Sequence, residues 1–414
     1  MKTVGLITEY NPFHNGHLHH LRESRRLAGA EVAVAVMSGH FLQRGEPALV
    51  DKWRRTRMAL AAGVDVVVEL PFAWACNSAP VFAAGAVRCL DALGGVDALC
   101  FGSEGGSLAP LRKAAELLSR KRESIEKETR RRLRQGVTYP AARAQVVAEL
   151  ADEETANLLA GPNNILGIAY LKALAQFDSP IRPLTLKRVG TGYHDLQASG
   201  RIASATGIRA MLAKGEGVAD YLPHESATVL TDARLEGLCV DPEQLYRQLA
   251  TVILRNPARL TEIYQVDHGL EKRLVEAARS CGEISALVSA VKSRQLTRTR
   301  IQRVLCYVLL DVERALMKRT LASGPLYLHL LGCSERGRSW LAYTRKRRSL
   351  PLVQNFSRVH ATLKRLYGAD AGRYEEARGQ LAMEERATQL YALLLKRRPV
   401  GSLQRDYLHD AVTV

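Results

Sequence analysis

Over its first hundred residues the chain alternates short β-branched-rich apolar runs with helical patterns, and few folds accommodate that alternation. The apolar runs span residues 3–7, 32–37, 64–70 and 98–101, with helical stretches at 16–28, 51–62 and 80–93 between them. Runs this short and continuous fit parallel strands buried on both faces, joined by crossover helices. A fifth candidate strand, 181–186, carries Lys187-Arg188 at its carboxyl end. Ligands of such sheets bind outside the carboxyl ends of the strands. There the sequence places His14-Asn15-Gly16-His17 after strand one, Ser38-Gly39-His40 after strand two and Gly102-Ser103-Glu104 after strand four. The expected fold is a Rossmann-like parallel-sheet α/β domain over residues 1–220, followed by a mainly helical basic region, 221–414.

The first of these motifs is an H-x-G-H box at a strand-to-helix junction. Pro12 stiffens the turn, Gly16 permits close backbone approach, and a helix starting near Gly16 points free N–H groups at an anion. Two imidazoles on its first turn can hydrogen-bond charge that builds on a phosphorus during displacement. A second motif, Ser204-Ala205-Thr206-Gly207-Ile208-Arg209, offers hydroxyls at a helix N-cap and an arginine one turn later. Taken alone it is an ordinary cap; downstream of a fifth parallel strand it becomes the other half of a nucleotidyl-transfer site. Neither G-x-x-x-x-G-K-[ST] nor G-x-G-x-x-G occurs, so the usual nucleotide fingerprints do not account for the crevice.

Composition narrows the partners. The formal net charge is +17 and the pI about 9.7, an excess that attracts polyanions, nucleic acid first among them. The seven cysteines are scattered, never in a C-x-x-C pair and mostly in apolar settings, which predicts reduced thiols rather than zinc or disulfides. No apolar stretch approaches the ~20 residues of a membrane helix, and Met1-Lys2-Thr3-Val4 leads straight into a strand without a signal-peptide pattern. A cytoplasmic protein is expected.

Beyond the sheet, 107–156 reads as helical and highly charged, broken by Gly161-Pro162-Asn163-Asn164 before another helix at 168–176. In the second half, helices are expected at 242–254, 269–279, 297–321, 356–367 and 373–397, with 326–331 and 350–353 forming a small sheet of their own.

Together V-G-L-I-T-E-Y-N-P-F-H-N-G-H-L-H-H-L, A-V-M-S-G-H-F-L-Q-R-G-E-P-A, V-E-L-P, F-G-S-E, P-N-N-I-L-G and I-A-S-A-T-G-I-R resemble the bacterial tRNA(Met) cytidine acetate ligase family, within the H-x-G-H nucleotidyltransferases. The resemblance is specific from Lys2 to about Arg209 and looser beyond Pro223. It implies that acetate attacks the α-phosphorus of ATP, giving acetyl-adenylate, and that acetyl then passes to N4 of the wobble cytidine in elongator tRNA(Met). Ile7, Thr8, Glu9, Tyr10, Asn11, Pro12, Phe13, His14, Asn15, Gly16, His17, Leu18, His19 and His20 fall on the family's ATP-binding segment. Gly102, Asn163 and Arg188 match its further ATP contacts. Ala205 departs from the wider superfamily, which often has a hydroxyl there.

On this reading His14, His17 and Arg209 are catalytic, the histidines on the α- and β-phosphates and Arg209 with Thr206 on the β,γ-phosphates; Ser204 adds a hydroxyl. ATP would bring Mg²⁺, with no dedicated protein metal site. His40, Gln43 and Arg44 are placed near acetate or the cytidine, and Tyr193-His194-Asp195 near the flipped base or its N4 proton. The tRNA backbone is assigned to Arg130-Arg131-Arg132, to Arg298 and Arg300 within 294–303, to Arg345-Lys346-Arg347-Arg348 and to Lys396-Arg397. Two other readings use the same motifs. One is a nucleotidylyltransferase joining an NTP to a phosphate monoester, which leaves the basic half without a purpose. The other is a non-catalytic RNA-binding protein, which the intact His14, His17 and Arg209 oppose.

Overall fold

The computed structural model describes residues 1–188, 201–267 and 269–414. Its strands are β1 (Thr3–Thr8), β2 (Val32–Ser38), β3 (Val66–Leu70), β4 (Ala98–Ser103), β5 (Arg182–Lys187), β6 (Leu328–Cys333), β7 (Leu352–Val353) and β8 (Val412–Thr413). They form one eight-stranded sheet in the order β5-β4-β1-β2-β3-β6-β7, with β8 on β6. β1 pairs in parallel with β2 (Thr3↔Val32 to Thr8↔Met37) and with β4, and β2–β3 and β4–β5 are parallel too. From β1 the chain builds outward through β2 and β3, then returns to lay β4 and β5 on the other side. The strand order therefore reverses between β1 and β4, which opens a crevice at their carboxyl ends.

The stretches expected to form a small sheet do pair, Leu328↔Leu352 and His329↔Val353, but as part of the main sheet. β6 runs antiparallel to β3, from Val66↔Cys333 to Val68↔Leu330, and β7 and β8 add to β6. All six residues of β6 are buried. An apolar strand of this kind gains most by completing the ladder of an otherwise open edge, here that of β3. Residues 221–414 thus supply strands to the sheet of the first half.

Helices α1 (Asn15–Ala28), α2 (Lys52–Ala61), α3 (Phe72–Ala75) and α4 (Ala79–Ala92) connect the first four strands. The charged stretch after β4 divides into α5 (Leu108–Arg120), α6 (Arg122–Arg134), α7 (Tyr139–Leu150) and α8 (Glu153–Leu158), and α9 (Pro162–Gln176) leads to β5. Next come α10 (Ala205–Ala213), α11 (His224–Leu235), α12 (Pro242–Arg255), α13 (Leu270–Ser280) and α14 (Ile284–Val291). The helix expected over 297–321 is two, α15 (Arg298–Leu309) and α16 (Arg314–Ser323), because Asp311 takes φ +47° and Val312 O accepts from Tyr264 N at 2.9 Å. The chain ends with α17 (Glu335–Thr344), α18 (Val359–Tyr367), α19 (Ala371–Leu393) and α20 (Arg405–Leu408). No described helix is long and apolar enough to cross a membrane. All seven cysteines are free thiols, five of them buried.

Candidate active site

The H-x-G-H box sits at the reversal point, and its first histidine is the cap of α1 rather than part of the helix. His14 Nδ1 accepts from Gly16 N at 3.0 Å, and His17 Nδ1 accepts from His14 N at 3.3 Å, a capping box built from two imidazoles. The rings stack with centroids 3.7 Å apart. Gly16 is required for this reason: a Cβ there would lie 2.9 Å from His14 Cε1. Beneath His17 lie Tyr10 and Phe13, centroids 5.0 and 5.6 Å away, both buried in the core.

Burial lowers the His14 imidazole to about 3, with Arg188 and Arg209 adding to the effect. Burial likewise holds His17 well below the ordinary value, reinforced by His14 and Arg188. Both rings are therefore neutral at physiological pH. Since each Nδ1 accepts a backbone N–H, each proton resides on Nε2. The pair offers two fixed Nε2–H donors, not two imidazolium charges.

Cationic charge comes from arginines on either side. Arg188, at the carboxyl end of β5, donates to Asn163 Oδ1 at 2.8 Å. Asn163 in turn donates through Nδ2 to Glu104 Oε1 at 2.9 Å. Glu104 also accepts from the backbone N–H groups of Asn163 and Asn164, at 3.0 and 2.7 Å, capping the first turn of α9. A Cβ on Gly102 would stand 3.1 Å from Arg188 Cγ, so this glycine makes room for the arginine stem. On the opposite side Arg209 donates to Asn11 O and pairs with Glu46 Oε1, both at 2.9 Å. Ser204 Oγ accepts from Gly207 N at 3.0 Å and caps α10, while Thr206 is exposed in its first turn. Asn15 Nδ2 donates to Arg201 O and Asp220 O, fastening the chain before and after α10 to the start of α1. His19 lies on the exposed side of α1, and His20 is half-buried, lowered to about 4 by burial and Arg188.

Sequence reasoning passed over Glu46 and Arg55. The Arg55 guanidinium is fully buried and donates to the carbonyls of Glu9 (2.7 Å), Ser38 (2.9 Å), Val50 (3.1 Å) and Gly39. It fastens the ends of β1 and β2 together at the crevice. Nothing distinguishes Arg55 within Lys52-Trp53-Arg54-Arg55; only the fold brings four carbonyls to it. Glu9 accepts from Gln43 N at 2.8 Å, which fixes the loop after β2 against the turn after β1. His40, expected near the substrates, is buried against Tyr391 at 4.3 Å. Tyr193-His194-Asp195 lie outside the described residues.

Residues 1–406 match the family described as HIGH Nucleotidyl Transferase. The tRNA(Met) cytidine acetate ligase of Syntrophotalea carbinolica is 56% identical over 416 residues, covering 100% of this chain and 99% of its own. The chain belongs to the tRNA(Met) cytidine acetate ligase family. The ligase of Alkaliphilus metalliredigens is 38% identical over 428 residues, covering 99% of this chain and 98% of its own. Thermotoga maritima TmcAL bound with alpha-thio ATP superposes with a TM-score of 0.90 at 34% identity, with both chains fully covered. Its apo form gives 0.91. As in that family, the chain is an ATP-binding ligase enzyme that modifies tRNA.

The basic clusters do not share one face. Arg130, Arg131 and Arg132 are largely offset by Glu126, Glu128 and Glu149. Gln295 Nε2 donates to Leu133 O at 3.3 Å, which sets the end of α6 beside the approach to α15. Arg298 and Arg300 occupy the first turn of α15 and have no carboxylate partner among the described residues. One turn on, Arg303 donates to Gln43 O at 3.2 Å, in the loop that borders the crevice. Lys396 and Arg397 pair their backbone N–H groups with Cys239 and Gly237, and neighbouring Val240 N donates to Leu49 O of that same loop. Arg345 to Arg348 lie elsewhere: Ser349 N donates to Ala92 O, and Arg347 O would meet a Cβ on Gly94 at 2.3 Å. Those contacts precede β4, at the amino end of the parallel strands.

The neutral histidines make stability pH-dependent. Unfolded imidazoles titrate near 6.5, whereas His14 and His20 fall to about 3 and about 4 in the folded state. Between those limits the unfolded chain binds more protons, so stability is complete above 6.5 and drains on acidification. The unfolding free energy from urea titrations should fall between about pH 6.5 and about pH 5, by up to ~1.4 kcal/mol per pH unit for each ring. His14→Gln should flatten that slope; a slope equal to the parent's would show that His14 is not held neutral.

Proposed function

We propose that this enzyme joins acetate to ATP as acetyl-adenylate and passes the acetyl group to N4 of the wobble cytidine of elongator tRNA(Met), forming N4-acetylcytidine. The observation that carries the reading is the stacked His14–His17 pair, two fixed Nε2–H donors between Arg188 and Arg209 at the strand-order reversal. A triphosphate across this crevice would meet donors at the α- and β-phosphates and guanidinium groups at either side.

In the first step an acetate oxygen attacks the α-phosphorus, the bond to the bridging oxygen breaks, and pyrophosphate leaves with that electron pair. The carboxylate is already a competent nucleophile, so positioning and charge stabilisation suffice without a general base. Arg209 would exchange Glu46 for the β,γ-phosphates, assisted by Thr206 and Ser204. Arg188, anchored through Asn163 and Glu104, would balance charge on the other side, and Gly102 keeps that arginine low over β4. In the second step the cytidine N4 adds to the acetyl carbonyl, the bond to AMP breaks, and N4 loses a proton.

Among the described residues there is no group of three or more His, Cys, Asp or Glu that could hold a metal. Mg²⁺ would enter on the oxygens of ATP, and no step above depends on a protein metal site. The anticodon arm would lie along Arg298 and Arg300, one turn before Arg303, and along Lys396 and Arg397, with Arg130 to Arg132 at its margin. The composition and the absence of a membrane-length helix among the described residues fit work in the cytoplasm.

The test is ATP–pyrophosphate exchange with and without acetate, followed by labelled acetate and tRNA(Met). Acetate-dependent exchange and label in the tRNA are expected. Exchange that needs a phosphate monoester instead would overturn the reading.

A further inference from the structure

The run Arg345-Lys346-Arg347-Arg348 is the strongest charge cluster that the crevice leaves unused. From Glu335 to Arg348 the chain carries six arginines and lysines against a single glutamate. None of the six has a carboxylate partner among the described residues, in contrast to Arg130, Arg131 and Arg132. Like charges left uncompensated on one surface repel, which a polyanion relieves.

The surface is also shaped. Behind the cluster, between α17 and the β6–β7–β8 edge, lies a groove of about 450 Å³ with an apolar floor of Leu330, Leu341 and Leu352. Arg338 and Arg348 reach into it, and Asp410 closes one wall with its carboxylate held by Asn355 Nδ2. Arg348 is fixed by a 2.5 Å bond to Leu341 O, and its buried Nε has no protein partner. Next in the chain to Ala342 of the groove, Tyr343 is 59% exposed, with the Arg347 guanidinium 4.5 Å from its ring centroid. Unpaired cations beside a stacked aromatic–arginine pair suit a nucleic-acid strand more than an acidic peptide, because the ring and guanidinium planes can also receive a base.

Position separates this surface from the catalytic crevice. It abuts Ala92 and Gly94, before β4, whereas the His box follows β1. A strand of six residues spans ~20 Å, so an RNA loop whose base occupies the crevice does not reach it; a more distant part of the same molecule can.

We propose that α17 and the Arg345–Arg348 turn form a second RNA-binding surface, which grips the phosphate backbone of the tRNA substrate away from its anticodon loop. This rests on the tRNA reading above and adds to it a contact that whole tRNA makes and its isolated anticodon stem-loop does not.

The test compares the full-length protein with Arg345→Glu/Lys346→Glu, two exposed side chains, for binding of whole tRNA(Met) and of its isolated anticodon stem-loop across a salt series. The variant should bind whole tRNA roughly tenfold or more weakly, with a salt slope shallower by about two. Its stem-loop affinity should stay within about twofold of the parent. Equal losses for both RNAs would place the cluster in the anticodon site, and no loss for either would remove it from RNA binding; each overturns the proposal. Arg338→Ala gives an independent variant from the groove itself, expected to show the same selective loss. Thermal unfolding midpoints report whether each variant folds, and acetylation of tRNA(Met) by the parent enzyme tests the underlying function separately.

Discussion

His17→Ala is expected to lower acetate-dependent ATP–pyrophosphate exchange by about 10²–10³-fold, the usual cost of one donor aimed at developing charge. The imidazole acts twice. On the proposed reading its Nε2–H meets the phosphates, and its Nδ1 accepts the His14 N–H at 3.3 Å. Losing the ring removes a donor and releases the backbone that holds His14 in its stack. The loss should fall mainly on kcat, with a smaller change in the KM for ATP, because the strongest interaction forms as charge moves toward the departing pyrophosphate. Affinity for tRNA should change little. Both rings being neutral, exchange should not require a protonated histidine and should persist from about pH 6.5 to 8.5. A rate that falls tenfold per unit over that range would point to an imidazolium, and exchange within about threefold of the parent would remove His17 from the mechanism.

Lys52→Met should destabilise the protein by about 3–5 kcal/mol, because it removes the lysine of a buried ion cluster and leaves its acids without that cation. Lys52 is fully buried on α2, with Nζ 2.9 and 2.8 Å from the Glu69 oxygens and 2.8 Å from Asp406 Oδ1. His329 Nδ1 lies 2.6 Å from Glu69 Oε2, and Thr388 donates to Asp406. Burial alone would lower the ammonium and raise the carboxyl. The two acids instead hold Lys52 above its ordinary value, while Lys52 and His329 bring Glu69 down to about 2. The four groups join α2, β3, β6 and α20, so the cluster fastens the second half of the chain to the sheet that carries the His box. Without the lysine, two carboxylates remain in the interior. Adding Glu69→Gln should recover part of the loss in urea unfolding, since the residual cost is that of unpaired charge. A deficit below about 1 kcal/mol for Lys52→Met alone would mean that the carboxylates find another partner or protonate freely.

The sequence by itself determined the parallel half of the sheet, because five short apolar runs alternating with helical periodicity leave little other than βαβ units. It also located both motifs of the candidate crevice, since H-x-G-H and S-A-T-G-I-R are local: each is a turn plus the first turn of a helix, and Ser204 and His14 cap their helices within three residues. Glu104 stood in view within Gly102-Ser103-Glu104, although its use as the cap of α9 did not. What only the tertiary structure decided depends on pairings far apart in the chain. β6 pairs with β3 across some 260 residues of separation, and apolar alternation gives no partner for such a strand. Arg55 carries no signal within a basic helix, and its role exists only where β1 and β2 end side by side. Likewise, four clusters of arginine and lysine read alike in one dimension. Folding separates those beside the crevice loop from Arg130–Arg132, offset by neighbouring glutamates, and from Arg345–Arg348 at the other end of the sheet. A strand's direction, invisible in its composition, fixes which end that is.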